Sequence, residues 1–289
     1  MLADLVRLAR PQHWIKNAFV LLPVPFALAA VAAGAGFQRI PFLWGLAGFC
    51  LLNSAVYTLN DWRDAAADRL HPTKRLRPMA AGRVPPAVAG LQAGVLAAAG
   101  FFLCWAAHKP PTVAVAVAYV VINLAYSLGA KHIVLLDVFL LSSGFVIRVL
   151  LGCALVSAAP SPWLLLCTAT VALFLGFTKR RADLTEELDV DHRPSLRGYN
   201  QAFLDQAVSI CAGVAILAYA LYCIESHVLQ PGREMVSVPF VAYGILNYLR
   251  MVHVEGVGAS PVAVAYRSWP MQLCALGWLA AVVWSLVRW

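Results

Sequence analysis

A chain of 289 residues that is 61% hydrophobic and only 12% charged carries about half the charged fraction of a soluble globular protein, which points to a bilayer. Its 22 Lys and Arg outnumber its 14 Asp and Glu, for a net charge of +8. That balance suits an anionic membrane face and anionic substrates. Nucleic-acid binding is not expected, because the basic residues are divided among short loops. The seven Cys are scattered through apolar runs without a C-x-x-C pair, which excludes a disulfide framework or a zinc site.

In chain order, apolar runs lie at about 15–35, 41–60, 86–107, 111–129, 137–157, 161–178, 203–224, 236–249 and 271–287. Each is long enough, or nearly so, to span the hydrocarbon core. The expectation is an all-α, polytopic membrane protein with nine transmembrane helices. With nine spans the loops alternate sides, and one side holds 17 of the 22 Lys and Arg. By the positive-inside rule that side, with the N-terminus, is cytoplasmic. It also holds most of the acids, which anchoring does not require. No cleavable leader is expected, since Met1 to Lys16 mixes charges and the next run is long enough to remain as a span. Residues 1–289 read as a single transmembrane domain with active-site loops near 60–85, 126–137 and 179–200.

Arg10-Pro11-Gln12-His13-Trp14-Ile15-Lys16-Asn17 precedes the first run. Trp14 suits the interface, and Lys16 either snorkels or meets a lipid phosphate. The second run ends in Asn60-Asp61-Trp62-Arg63-Asp64-Ala65-Ala66-Ala67-Asp68. At ~100° per residue, Asn60, Asp64 and Asp68 share one helix face, with Asp61 beside them. Asn53 and Tyr57 extend that stripe into the apolar half, where polar groups are costly and tend to face a cavity. Carboxylates so placed repel unless a cation lies between them. Hard oxygen donors at a membrane edge suit Mg²⁺ with a bound diphosphate, Mn²⁺ being its substitute. The plain alternative is a solvated acidic helix end.

His71-Pro72-Thr73-Lys74-Arg75-Leu76-Arg77-Pro78 follows, a loop shaped by two prolines. Lys74 and Arg77 are the expected phosphate contacts, and Arg75 is expected to face headgroups. Tyr126-Ser127-Leu128-Gly129-Ala130-Lys131 closes the fourth run, and Asp137 opens the fifth. Arg148 lies roughly 16 Å deeper than Asp137 and must find either an acid or a substrate phosphate. The sixth run ends in Lys179-Arg180-Arg181-Ala182-Asp183-Leu184-Thr185-Glu186-Glu187, which reads as a phosphate-binding cap, a second metal site through Asp183 with Glu186 or Glu187, or a solvated end. No G-x-S-x-G, H-E-x-x-H or P-loop pattern supports a hydrolase, zincin or NTPase.

These pieces resemble the UbiA superfamily of intramembrane prenyltransferases, whose first acidic motif is N-D-x-x-D-x-x-x-D. They are most similar to its decaprenyl-phosphate phosphoribosyltransferase branch. The resemblance runs from Arg10 to about Tyr199, through Arg10-Pro11, Trp14, Lys16-Asn17, the run from Asn60 to Pro78, Ala80-Ala81-Gly82, Tyr126-Ser127, Lys131, Asp137 and Lys179-Arg180-Arg181. It is weaker toward the C-terminus, where Ser268 of Tyr266-Arg267-Ser268-Trp269-Pro270 stands in place of an Asp, leaving the role of that loop open.

The resemblance implies a nine-helix bundle around a central cavity open to the membrane. It implies transfer of 5-phosphoribosyl from phosphoribosyl diphosphate (PRPP) to a polyprenyl phosphate in a bacterial inner membrane, feeding arabinose donors for cell-wall polysaccharide. Asn60 and Asp64 would hold Mg²⁺, with Asp61, Asp64 and Asp68 as the catalytic acids. Lys74, Arg77, Tyr126, Lys131 and Arg148 would hold the donor, and Lys16, Tyr57 and Lys179 the lipid phosphate. The rival within the superfamily moves a prenyl chain from a prenyl diphosphate to an aromatic or other acceptor. Such enzymes carry a second acidic motif where this chain reads Lys179-Arg180-Arg181-Ala182-Asp183. A non-enzymatic transporter is the third alternative. Homo-oligomerisation, common among membrane enzymes, stays open.

Overall fold

The computed structural model describes residues 1–25, 27, 38–70, 73–185, 194–226, 228–255 and 268–287. All regular structure among them is helical. Helix α1 (Leu2–Ala9) leads into a 3₁₀ helix, Pro11–Leu21. There follow α2 (Arg39–Asp68), α3 (Pro86–Ala106), α4 (Pro110–Leu128), α5 (Leu136–Val156), α6 (Pro162–Thr185), α7 (Gln201–Glu225), α8 (Val238–His253) and α9 (Trp269–Leu286). Seven of these, α2 to α7 and α9, are long and apolar enough to cross a membrane, and α8 has 16 residues. Eight of the nine expected runs thus coincide with described helices. The first, 15–35, lies mostly outside the described residues beyond its 3₁₀ start. The expected all-helical membrane bundle is the fold observed.

Local chemistry sets the boundaries. Pro86, Pro110 and Pro162 open their helices, and Pro239 and Pro270 lie in the first turn of theirs. A helix start leaves its first N–H groups unpaired, so proline loses nothing there. Gly129 ends α4 at φ 142°, a backbone conformation that L side chains rarely adopt. All seven cysteines are free thiols.

The chain divides into two compact units, one of Met1–Ile133 with Ile147–Ala159, the other of Val134–Val146 with Pro160–Trp289. In the first unit, Phe49, Tyr119, Leu151 and Leu155 form the core, and Leu8 of α1 packs with Ala65, Met79 and Val84. Helices α2 and α3 meet backbone to backbone. A Cβ on Gly48 would fall 2.6 Å from the Gly100 carbonyl oxygen, and one on Gly100 would lie 2.8 Å from that of Gly48. Lipid supplies no hydrophobic drive between helices, so such close approach is what holds them. The outward faces stay apolar, with Leu91, Phe102 and Val121 exposed. In the second unit Val138, Phe174, Phe177, Leu204 and Tyr248 form the core, with Gly176 pressed against Val138.

Gly48→Val should drive a branched side chain into the Gly100 backbone, at an overpacking cost of about 1–3 kcal/mol or more. The expected result is a melting temperature in detergent several degrees below wild type. An unchanged value would show that α2 and α3 can separate at no cost.

Candidate functional site

The acidic end of α2 is the centre of the first unit's polar surface. Asp61 is only 2% exposed. A carboxylate so buried needs a cation, and two reach it. Arg10 Nη2 donates to its Oδ1, and Arg77 Nη1 stands 3.6 Å from the same oxygen. Arg77 also donates to Asp68 Oδ2 at 2.7 Å. Asp64 accepts from Lys131 Nζ at 2.6 Å, and Asn60 Oδ1 accepts from Ser127 Oγ at 3.0 Å. One turn deeper, the Tyr57 ring lies 5.0 Å from that of His13 and 5.6 Å from the Arg10 guanidinium carbon. The stripe predicted from helical spacing is therefore one face, and its cations come from three segments distant in sequence.

The basic loop after α2 differs in burial along its length. Lys74 and Arg77 are half-buried and Arg75 is exposed. Arg69 Nε to the Ala80 carbonyl (3.2 Å) and Arg83 Nη2 to the Leu76 carbonyl (2.9 Å) fasten the loop. His71 and Pro72 lie outside the described residues. Lys16 and Tyr126 are half-buried.

Arg10 was visible in the sequence only as part of its motif. It ends α1 in the left-handed conformation, φ 50° and ψ 54°, which costs an L residue about 1–2 kcal/mol. The turn swings its side chain onto Asp61. The following 3₁₀ helix is 11 residues long, well beyond the usual three or four. Its contacts explain the length. Trp14 Nε1 donates to Ser54 Oγ at 3.0 Å, and Asn17 Nδ2 to Cys50 Sγ at 3.1 Å. From Arg10 to Asn17 a 3₁₀ helix rises about 14 Å, whereas α2 covers about 16 Å from Asp61 to Cys50. An α-helix would rise only about 10 Å over that stretch and lose register with α2.

Arg148 lies among amides and aromatic rings. It is 4% exposed. Its Nε donates to Asn17 Oδ1 at 2.9 Å and its Nη2 to Asn53 Oδ1 at 2.5 Å. Tyr119 OH donates to the same Asn53 oxygen at 3.1 Å, and the guanidinium lies over the Phe49 and Tyr119 rings at 5.6 and 5.4 Å. Amides and aromatic faces thus surround this cation at depth.

In the second unit, Asp137 pairs with Arg180. Both side chains are fully buried, with Arg180 Nε 2.7 Å from Asp137 Oδ2. Ser195 Oγ and Tyr199 OH also donate to Asp137, at 3.1 and 2.8 Å. The Tyr199 oxygen in turn accepts from the Leu135 N–H at 2.6 Å. Burial, then the bond to Asp137, raises the Tyr199 phenol well above its ordinary pKa. Arg180 Nη1 reaches Asp183 at 3.1 Å. Glu186 and Glu187 lie outside the described residues. Lys179 is exposed, and Arg181 pairs with Asp205 at 2.5 Å. Ser268 has a local task, its Oγ accepting from the Met271 N–H at the start of α9. Tyr266 and Arg267 lie outside the described residues. The sequence offered no signal for the Asp137–Arg180 pairing, because its partners are 43 residues apart.

Among the described residues no three His, Cys, Asp or Glu side chains converge on one point. The donor set at Asn60 and Asp64 fits Mg²⁺ in the way that ion is usually held, by one or two protein oxygens together with substrate phosphates and water.

Comparison with known proteins adds the following. The profile of the UbiA prenyltransferase family matches residues 20–265. The decaprenyl-phosphate phosphoribosyltransferase of Mycobacterium tuberculosis is 34% identical over 289 residues, covering 98% of this chain and 94% of the relative. That of Corynebacterium glutamicum is 34% identical over 293 residues, covering 99% and 87%. A UbiA homolog from Archaeoglobus fulgidus, solved with GPP and Mg²⁺, superposes with a TM-score of 0.71 at 16% identity, covering 98% of this chain and 99% of that one.

Arg148→Leu should leave the buried Asn17 Oδ1 without the Arg148 donor, at about 1–3 kcal/mol, while Asn53 Oδ1 keeps the Tyr119 hydroxyl. The expected result is a melting temperature lower by a few degrees. Wild-type stability with lost turnover would instead make Arg148 a direct substrate ligand.

Proposed function

The chain belongs to the UbiA prenyltransferase family, and from that premise we propose that it transfers 5-phosphoribosyl from PRPP to a decaprenyl phosphate-like polyprenyl phosphate, releasing diphosphate. The observation that carries this reading is the α2 face. Asn60, Asp61, Asp64 and Asp68 stand among Arg10, Arg77 and Lys131, a receiver for a donor that bears phosphate at both ends. Two relatives of near-equal length carry that activity in their names. The positive-inside pattern of the loops supports a reaction at the cytoplasmic face of a bacterial inner membrane.

Asn60 and Asp64 would hold Mg²⁺ or Mn²⁺, which when bound neutralises charge growing on the departing diphosphate. Lys131 and Arg77 are placed to shift from carboxylate to phosphate oxygens, and Lys74 to add a third charge-assisted contact. Asp61 and Asp68 keep Arg10 and Arg77 aimed at the site. The polyprenyl phosphate is already an anion at neutral pH and needs no general base. One of its oxygens bonds to C1 of the ribose as the C1–diphosphate bond breaks. Positioning is then the chief requirement, for which Tyr57 and Lys16 of the first unit suit the lipid phosphate and Tyr126 the donor. Arg148 serves from beneath by holding Asn53 and Asn17.

The second reading, prenyl transfer from a prenyl diphosphate, is favoured by the family's name. The run Lys179-Arg180-Arg181-Ala182-Asp183, more basic than a second acidic motif, supports the first reading over it.

The deciding experiment supplies purified protein with labelled PRPP and a panel of polyprenyl phosphates. A lipid-soluble labelled product is expected, and product from prenyl diphosphate alone would favour the second reading. Excess EDTA should abolish turnover, and full activity in its presence would remove the metal from the account. Asp64→Ala should lower the rate at least about 10²-fold, the scale of losing a stabiliser of the leaving group. Lys74→Ala and Lys131→Ala should raise the KM for PRPP far more than Arg75→Ala. Equal, small effects at all three would reduce these residues to membrane anchors.

A further inference from the structure

Both residues assigned to the metal are engaged, at one oxygen each, by one short segment of the chain. Ser127, in the last turn of α4, donates to Asn60 Oδ1 at 3.0 Å. Four residues on, Lys131 Nζ stands 2.6 Å from Asp64 Oδ1. Between them Gly129, at φ 142°, turns the chain, and Lys131 sits in the 3₁₀ turn Ala130–His132 that follows. The neighbouring acids are engaged as well, Asp61 by Arg10 and Asp68 by Arg77. A bare divalent cation approaching this face meets a neutralised carboxylate with an ammonium group on it. A metal–diphosphate complex meets something else, because its phosphate oxygens offer Lys131 a new acceptor as the metal takes Asp64.

We propose that Lys131 is a resident counter-ion that competes with the divalent metal for Asp64, so that the metal binds weakly alone and enters together with diphosphate. The proposal rests on the assignment of Asn60 and Asp64 to the metal made above. By linkage the coupling is reciprocal: diphosphate strengthens metal binding as much as metal strengthens diphosphate binding. In the absence of donor the ion pair also keeps the acids of α2 from repelling one another. Side-chain exposures of 19% for Lys131 and 22% for Asp64 leave room for the ammonium to move and let water solvate either partner when the other is removed.

The test is Mn²⁺ binding to the purified full chain in detergent, followed by electron paramagnetic resonance with and without inorganic diphosphate. Wild type should bind Mn²⁺ alone weakly, and diphosphate should tighten protein-bound Mn²⁺ by about tenfold or more, within the ordinary range of coupling between two ligands. Lys131→Met should bind Mn²⁺ alone about tenfold more tightly than wild type, at the same scale. Lys131→Arg, which keeps the charge, should bind it as weakly as wild type. Asp64→Asn should lose the tight binding seen in Lys131→Met, which places the ion at Asp64. Unchanged Mn²⁺ affinity in Lys131→Met, with diphosphate still tightening binding in wild type, overturns the competition and leaves the metal assignment standing. No Mn²⁺ binding by any variant, with or without diphosphate, overturns both. The labelled-lipid assay, run on the same preparations, reports separately on the transfer reaction.

Discussion

Charge that must be neutralised at the edge of a bilayer organises the first unit of this protein. Asp61 is 2% exposed, on a helix whose other end is apolar enough to cross a membrane. An ionised carboxylate in that setting loses several kcal/mol of hydration unless a cation with good geometry replaces the water. The chain answers by drawing in Arg10 from the N-terminus and Arg77 from the loop after α2, with Lys131 placed on Asp64 from the turn after α4. Each pairing ties a separate segment of the chain to the end of α2. The backbone at Arg10 even adopts a left-handed conformation to deliver its guanidinium.

The same requirement is answered differently at depth. Arg148 is met by amide oxygens of Asn17 and Asn53 and by two aromatic rings. In the second unit Asp137 gathers Arg180, Ser195 and Tyr199. That buried hub fastens the segment before α7 to the start of α5. The two arrangements share a logic. In each, protein donors and acceptors take the place of water that burial removes.

Packing supplies the rigidity such geometry needs. Gly48 and Gly100 let α2 and α3 approach until their backbones touch, and the 3₁₀ pitch of Pro11–Leu21 keeps Arg10, Trp14 and Asn17 in register with α2. The two devices act on opposite scales. Glycine removes a side chain so that two helices can meet, and the 3₁₀ stretch lengthens a segment so that its side chains can.

The helical membrane fold, eight of the nine apolar runs and the shared face of Asn60, Asp64 and Asp68 were legible in the sequence. Those features are local: apolar run length, proline at helix starts and helical periodicity all act over a few turns of one chain segment. Only the tertiary structure decided which cation meets which acid. Arg10 and Asp61 are 51 residues apart, Lys131 and Asp64 are 67 apart, and Arg180 pairs with Asp137 across 43. A charge carries no record of its partner in the sequence, because Coulomb attraction acts on whichever opposite charge the packed helices bring within reach.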